Sequence, residues 1–292
     1  FEQSSSLASD SDTYHNIGNT LKKINDFTNA KINYKLALNL NENQIHTVVE
    51  LIQLKQNICD WNDLTELIMK LKDHLTNHNS SQISPFAALS MPGLNNKEHL
   101  TIANSWINSH NLDLQNNKKL SRKNADEKIT LAYMSADFKM HPLYYLIIDI
   151  LKLHKREKFE IKLLYSGKND NSAEMKEFKS IDADFINISQ LSDKLLYDKI
   201  IEEKVDILID LSGFTMSSRS MIAAYKPAPI TINWLGFPGT MGYLDKEPLY
   251  DFLLSDDYII PKNQETYYAE QIIRLPNCYQ PNIGNRPQSK AV

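Results

Sequence analysis

An aspartate and a histidine four residues apart, Asp137 and His141, form the first pair in the sequence that could move a proton. A nearby carboxylate can orient an imidazole so that the ring acts as a general base. Pro142 disfavours helical geometry at His141, so we expect the ring to lie on a fixed turn. Taken alone, the spacing is more typical of a turn acid beside a half-buried ring. The position of the pair in the fold must decide between the two readings.

Glycine is concentrated where a loop could approach a ligand closely. Of the eight glycines, four lie between residues 213 and 242, namely Gly213, Gly236, Gly239 and Gly242. The segment 234–242 follows a predicted strand, and its glycines would let the backbone turn sharply around a sugar or a phosphate. It is neither a G-x-G-x-x-G fingerprint nor a P-loop, because the Gly-Lys-Ser/Thr ending is missing. A structural turn is the open alternative.

A third polar group ends an apolar run at residues 207–209. Asp210, Ser212 and Thr215 could reach a ligand hydroxyl. Serine and threonine after a strand more often cap the helix that follows. We favour this structural role for the group.

No metal centre is predicted, because the other histidines show no grouping with cysteines or carboxylates at metal-ligand spacing. The two cysteines, Cys59 and Cys278, lie far apart in the sequence and suit a reducing compartment, so we expect a cytoplasmic protein. The histidines considered are His15, His46, His74, His78, His99, His110 and His154.

Charge and hydropathy exclude two classes of partner. The 292 residues include 32 basic and 36 acidic ones, a net charge of −4, so no electrostatic footprint for nucleic acid or anionic lipid is present. The longest apolar run, residues 143–151, contains Asp149, whereas a membrane-spanning helix needs about 20 mostly apolar residues. We therefore expect no nucleic-acid and no membrane partner.

The elements that must position these residues alternate between strand and helix after Lys128. Such alternation predicts a doubly wound α/β fold with a parallel sheet covered on both faces. These sheets bind ligands at the carboxyl ends of their strands, so site residues should lie in strand-to-helix loops. Strands are predicted at 129–134, 159–165, 184–188, 205–211, 230–234 and 251–254, and helices at 143–154, 173–179, 192–204 and 218–225.

The chain from Tyr14 to about His110 is predicted to be helical. Seven residues have the spacing of the 34-residue tetratricopeptide repeat, in which small side chains let two helices pack closely. One repeat cannot bury its apolar face alone, so we expect further repeats before it. Residues 111–128 are polar and predict a boundary. The seven residues are Tyr14, Ile17, Gly18, Leu21, Ala30, Tyr34 and Ala37.

Several motifs together resemble the O-linked N-acetylglucosamine transferase and Spindly family. They follow the repeat in the family's order, at residues 58–61 (Ile-Cys-Asp-Trp), 135–142, 227–230, 234–240 and 275–281. The resemblance implies an inverting transferase built from two Rossmann-like lobes of a GT-B fold, of which this chain would carry the first. On this reading the chain is a fragment and inactive by itself.

The resemblance also implies roles for particular residues. His141 and Asp137 match groups that help to remove the acceptor hydroxyl proton, and which of them is the base stays open. The loop residues Leu235, Gly236, Phe237 and Pro238 match the lining of the sugar pocket, with Phe237 where some members have tyrosine. Leu143 departs from the threonine of the animal enzymes, and their His-rich segment is replaced by residues 83–86. These departures leave the donor sugar open.

Three segments follow from this reading: the end of a repeat region at 1–43, a helical connector at 44–128 and the first catalytic lobe at 129–292. The function implied is transfer of a sugar, N-acetylglucosamine above all, from a nucleotide sugar such as UDP-GlcNAc to Ser or Thr of proteins held by the repeats. No metal or resident cofactor is expected. The alternatives are a non-enzymatic adaptor with a degenerate lobe, and a fucosyl or hexosyl transferase.

Overall fold

The computed structural model describes residues 10–77, 83–110, 112, 120 and 127–284. The chain divides into two compact units, residues 1–110 and 111–292. Most of the predicted boundary at 111–128 lies outside the described residues. The finer division into 1–43, 44–128 and 129–292 stays a prediction.

The first unit is built from helices, as the sequence predicts. They are α1 (Ser11–Lys23), α2 (Phe27–Leu40), α3 (Ile45–Asn57), α4 (Leu64–Asn77), the short α5 (Pro85–Ala88) and α6 (Asn96–Asn108). Asp10 and Asp26 accept hydrogen bonds at the starts of α1 and α2, and Asn95 with Glu98 forms a capping box at α6. These caps satisfy backbone N–H groups that a helix start leaves without partners.

Helices α1 and α2 pack closely through the small residues of the repeat pattern. A Cβ on Gly18 would lie 2.5 Å from Cε1 of Tyr34, so only glycine allows this approach. Ala30, Tyr34 and Ala37 are fully buried, and the Tyr34 hydroxyl donates to Oδ1 of Asn19 at 2.8 Å. An apolar cluster then continues from α2 to α6.

The second unit contains a seven-stranded parallel sheet in the order β3-β2-β1-β4-β5-β8-β9. This arrangement confirms the predicted doubly wound α/β class. The strands are β1 (Ile129–Ser135), β2 (Phe159–Tyr165), β3 (Asp184–Asn187), β4 (Ile207–Asp210), β5 (Ile230–Asn233), β8 (Phe252–Ser255) and β9 (Gln271–Arg274), with a separate two-stranded ribbon of β6 (Tyr243–Leu244) and β7 (Glu247–Pro248).

Helices cover both faces of the sheet, and alternate residues of each strand point to opposite faces. Leu131 and Tyr133 of β1 lie in the apolar cluster that includes α7 (Pro142–Leu153) and α8 (Ala173–Ser180). Ala132 and Met134 lie in the cluster that includes α9 (Asp193–Glu202). A strand buried on both faces is therefore apolar at successive positions, which is the pattern that identified β1 in the sequence.

One predicted helix differs in type and length, and one strand of the sheet was not predicted. The helix predicted at 218–225 is a 3₁₀ helix, η1 (Ser220–Tyr225). The helix ends after six residues because Lys226 adopts a left-handed backbone conformation (φ +47°). Pro227 follows and, having no N–H group, cannot donate a helical hydrogen bond. Strand β9 was not predicted, because its exposed edge position gives a short alternating sequence without an apolar run.

Candidate functional site

The order of the strands reverses between β1 and β4, and this is where a doubly wound sheet forms its ligand crevice. Strands β1, β4 and β5 are neighbours and parallel. Their carboxyl ends lead into three loops, which contain every candidate residue predicted from the sequence except Asp210, the last residue of β4. We call them the β1 loop (135–141), the β4 loop (211–219) and the β5 loop (234–242).

The β1 loop brings Asp137 and His141 together. Nε2 of His141 lies 3.9 Å from Oδ2 of Asp137, and Nζ of Lys139 lies 3.5 Å from Oδ1. The His141 side chain is 44% exposed and that of Asp137 22%, so both face solvent. A single hydroxyl group could hydrogen bond to both Nε2 and Oδ2 at these separations.

The orientation of His141 follows from its place at the start of α7. Its backbone is extended (φ −155°, ψ 153°), as expected before Pro142, and Nδ1 accepts a hydrogen bond from the Leu143 N–H at 3.2 Å. Because Nδ1 is an acceptor, the neutral ring carries its proton on Nε2. Nε2 in turn lies 3.9 Å from Oδ2 of Asp137, so a ring nitrogen and a carboxylate are side by side at the crevice.

The loop after β2 supports the β1 loop from the side. Oδ2 of Asp170 accepts from the Met140 N–H at 3.0 Å, and backbone donors lower the pKa of this carboxyl, the Ser172 N–H most of all. A Cβ on Gly167 would lie 2.1 Å from the Ala136 carbonyl oxygen. Only glycine allows this approach, so the two loops fit together through position 167.

The buried carboxylate of Asp210 holds the β4 loop in place. Asp210 accepts from the Ser212 N–H at 2.9 Å, from the Tyr250 hydroxyl at 2.7 Å and from the Ser220 hydroxyl. Burial raises the pKa of Asp210, and it also raises that of Tyr250. Asp210 is fully buried and Ser212 nearly so, which agrees with the structural role favoured for these two residues, whereas Thr215 is half-buried. The capping part of that prediction is wrong, because η1 has no side-chain cap.

The β5 loop exposes only part of the residues assigned to it. Gly236 is exposed and Pro238 half-buried, whereas Leu235 is 4% and Phe237 2% exposed. The Phe237 ring packs edge-on against that of Phe214, with ring centroids 5.3 Å apart. Leu235 and Phe237 can therefore offer a ligand their backbone groups but not their side chains.

The three loops contact one another. The hydroxyls of Ser135 and Ser212 are 3.5 Å apart and join the β1 and β4 loops. A Cβ on Gly213 would lie 2.4 Å from Cβ of Phe237, and one on Gly236 would lie 2.4 Å from the Leu211 carbonyl oxygen. Two of the clustered glycines thus allow the β4 and β5 loops to touch, a structural use that the sequence left open.

Sequence reasoning missed two buried acids near the β5 loop. Glu270 hydrogen bonds to Thr240 and to the Met241 N–H. Asp256 accepts from the Tyr279 N–H at 2.8 Å, and Trp234 Nε1 donates to the Tyr279 carbonyl at 3.1 Å. Both acids lie far along the chain from the loop, so no local pattern identifies them.

Within the described ranges, no group of three or more histidine, cysteine or acidic side chains is placed to hold a metal ion. Cys59 and Cys278 are unpaired and exposed. None of the helices in the described part of the chain is long and apolar enough to cross a membrane.

Comparison with known proteins gives one family. The model of glycosyl transferase family 41 matches residues 58–288. The chain is 27% identical over 242 residues to the probable UDP-N-acetylglucosamine–peptide N-acetylglucosaminyltransferase SEC of Arabidopsis thaliana, over 78% of this chain and 24% of that protein. It is 26% identical over 238 residues to the UDP-N-acetylglucosamine–peptide N-acetylglucosaminyltransferase of Caenorhabditis elegans, over 77% of this chain and 20% of that protein.

A solved structure shares the fold. A mutant of Thermobaculum terrenum O-GlcNAc transferase superposes with a TM-score of 0.65 at 19% identity, over 92% of this chain and 51% of that one. At 19% identity this match shows a shared fold only. The chain spans a quarter or less of the length of the two curated relatives.

Proposed function

The chain belongs to glycosyl transferase family 41, and on that premise we propose that it is part of a protein O-glycosyltransferase. The complete enzyme transfers N-acetylglucosamine from a nucleotide sugar to the hydroxyl of a protein Ser or Thr, with inversion at the anomeric carbon. The names of the two relatives support this donor and a peptide acceptor. UDP-N-acetylglucosamine is a substrate here, and no resident cofactor takes part.

The observation that carries this proposal is the Asp137–His141 pair at the switch point of the sheet. An acceptor hydroxyl placed between Nε2 and Oδ2, which are 3.9 Å apart, contacts both groups. The hydroxyl donates its hydrogen to Oδ2 of Asp137, and the Nε2–H of His141 keeps the oxygen in place. Asp137 is then the base, and His141 orients the acceptor.

The transfer is a single displacement. The acceptor oxygen forms a bond to the anomeric carbon, the bond from that carbon to the diphosphate oxygen breaks, and the hydroxyl proton passes to Asp137. We assign Gly236, which is exposed, and the half-buried Pro238 to the sugar's side of the crevice. The buried rings of Phe237 and Phe214 keep this part of the loop in place.

We also propose that the repeats hold the protein acceptor and that the enzyme acts in the cytoplasm. The close α1–α2 packing around Gly18 and Tyr34 supports a repeat at 1–43. The unpaired, exposed Cys59 and Cys278 support a reducing compartment.

The test uses the full-length protein that contains this chain. It is incubated with a Ser/Thr-rich acceptor protein and one nucleotide sugar at a time, and the intact mass of the acceptor is recorded. We expect a gain of one N-acetylhexosamine with UDP-N-acetylglucosamine, and its loss in His141→Ala. Asp149→Asn, in the same helix α7, is the matched control and should retain the gain.

Other outcomes separate the alternatives. A mass gain of one fucose or one hexose would support a transferase that uses a different donor sugar. No gain with any nucleotide sugar would contradict the enzyme and favour a non-enzymatic adaptor. An unchanged mass gain of the acceptor with His141→Ala would show that this histidine is not part of the catalytic site.

A further inference from the structure

The β5 loop begins on a strained turn. Leu235 has φ +79°, a left-handed value that non-glycine residues rarely adopt. The Gly236 N–H donates to the Trp234 carbonyl at 3.1 Å, a hydrogen bond across one residue that is typical of a γ-turn. Strain of this kind persists only where surrounding contacts hold the backbone in place.

Two contacts hold the first half of the loop. Nδ2 of Asn233 donates to the Phe237 carbonyl at 3.0 Å, and Nε1 of Trp234 donates to the Tyr279 carbonyl at 3.1 Å. Both donor side chains are buried, at 0% and 6% exposed. The strained turn at Leu235 is therefore fixed by the side chains that precede it.

The second half of the loop is held by one acid, Glu270, from the residue before β9. Its Oε2 accepts from the Thr240 hydroxyl at 2.9 Å, and its Oε1 accepts from the Met241 N–H at 2.5 Å. The Thr240 oxygen in turn accepts from the Gly242 N–H at 3.1 Å and from the Ala269 N–H at 3.0 Å. Thr240 thus joins the loop to the segment that contains Glu270.

The contact is buried. Thr240 is 3% and Glu270 5% exposed, and burial raises the pKa of the Glu270 carboxyl to about 7. Burying an acid costs free energy unless donors surround it. Here two of those donors, the Thr240 hydroxyl and the Met241 N–H, belong to the loop, so the loop and the acid stabilise each other.

We propose that Glu270 is a positioning residue, which holds the β5 loop in the conformation that faces the donor sugar. This inference rests on the function proposed above for the same loop. Glu270 is buried and acts through Thr240 and Met241.

The first experiment measures hydrogen exchange by mass spectrometry in the full-length protein. Glu270→Ala removes both acceptors, and Thr240→Val removes the hydroxyl at nearly constant volume, which keeps the test decisive if the first variant does not fold. We expect peptides covering 239–242 to exchange about tenfold faster in either variant, since each loses hydrogen bonds that close the loop. Thr240→Ser should restore most of the protection, and the exposed Glu265→Gln is the control.

The second experiment measures kinetics with UDP-N-acetylglucosamine and the acceptor protein. In Thr240→Val we expect the KM for the donor to rise about tenfold, with the KM for the acceptor unchanged. Thr240→Ser should return the donor KM close to that of the wild type. A merely structural role would lower the folded fraction and hence kcat alone.

The proposal is overturned if residues 239–242 remain fully protected in Thr240→Val. It is also overturned if exchange rises equally across β1 and β4, or if kcat falls while both KM values stay constant. Should the wild-type protein transfer no sugar, the proposed function fails and the exchange experiment alone decides whether Glu270 holds the loop.

Discussion

At the scale of single residues, the site separates groups that face the crevice from groups that support it. Asp137 and His141 are open to solvent and close to each other. Asp210, Asp256 and Glu270 are buried, and their oxygens accept hydrogen bonds from backbone or hydroxyl donors of the surrounding loops. Acids of the second kind fix loop geometry without touching a ligand.

Ionisation of Glu270 should make the free energy of unfolding depend on pH. Burial raises the pKa of its carboxyl from 4.5 to about 7 in the folded protein. The folded state therefore holds the proton more tightly than the unfolded chain, and this stability is fully present below about pH 4.5 and is lost as the pH rises through about 7. We expect Glu270→Gln, which cannot ionise, to lose this part of the pH dependence of the unfolding free energy.

Urea unfolding of the wild type and the variant between about pH 5 and pH 8 checks this expectation. Glu265→Gln is the control for the same kind of substitution at an exposed position, where the side chain is 44% exposed. Parallel curves for the wild type and Glu270→Gln would show that Glu270 does not titrate in this range.

The sequence carries enough to propose the Asp137–His141 pair, because both residues lie in one loop and Pro142 extends the backbone at His141. It cannot reveal Glu270, which meets Thr240 from thirty positions further along the chain. That contact exists only after β5, β8 and β9 pair in the sheet. The buried side chains of Leu235 and Phe237 were hidden for the same reason.

At the scale of elements, parallel pairing of β1, β4 and β5 places three loops side by side. Apolar runs predict β1 and β2 well, since both strands are buried at nearly every position. The edge strand β9 and the 3₁₀ helix η1 escape prediction, because their form depends on neighbours rather than on an apolar period. The contacts between neighbouring loops, in contrast, depend on Gly167, Gly213 and Gly236, where a Cβ would be too close to the next loop.

Gly167→Ala tests the contact between the loop after β2 and the β1 loop. The new Cβ would lie 2.1 Å from the Ala136 carbonyl oxygen and 2.7 Å from the Tyr165 hydroxyl, so backbone must move. We expect the unfolding free energy to fall by about 1–3 kcal/mol, as overpacking usually costs. The measurement is urea unfolding followed by circular dichroism.

Gly284→Ala is the matched control, because a Cβ there meets nothing within 4 Å. It should unfold at the same urea concentration as the wild type. Equal urea midpoints for Gly167→Ala and Gly284→Ala would mean that the two loops accommodate the added methyl group without a loss of unfolding free energy.

At the scale of the whole molecule, the family match runs from residue 58 to residue 288 and so crosses from the helical unit into the sheet unit. The predicted fold class and family are confirmed by the parallel sheet and by this match. The chain spans a quarter or less of the length of the two curated relatives, so the activity of a complete enzyme is our proposal. The central claim must therefore be tested on the complete protein.

The most direct test is a double-mutant cycle on the full-length enzyme, in which initial rates of sugar transfer are measured for Asp137→Asn, His141→Ala and the double variant. We expect each single variant to lower kcat by about 100-fold or more. Because the two groups act on one hydroxyl, the double variant should lose little more than either single one. Asp149→Asn controls for changes in α7 that do not reach the crevice. A double variant that transfers sugar at the wild-type rate would contradict the account.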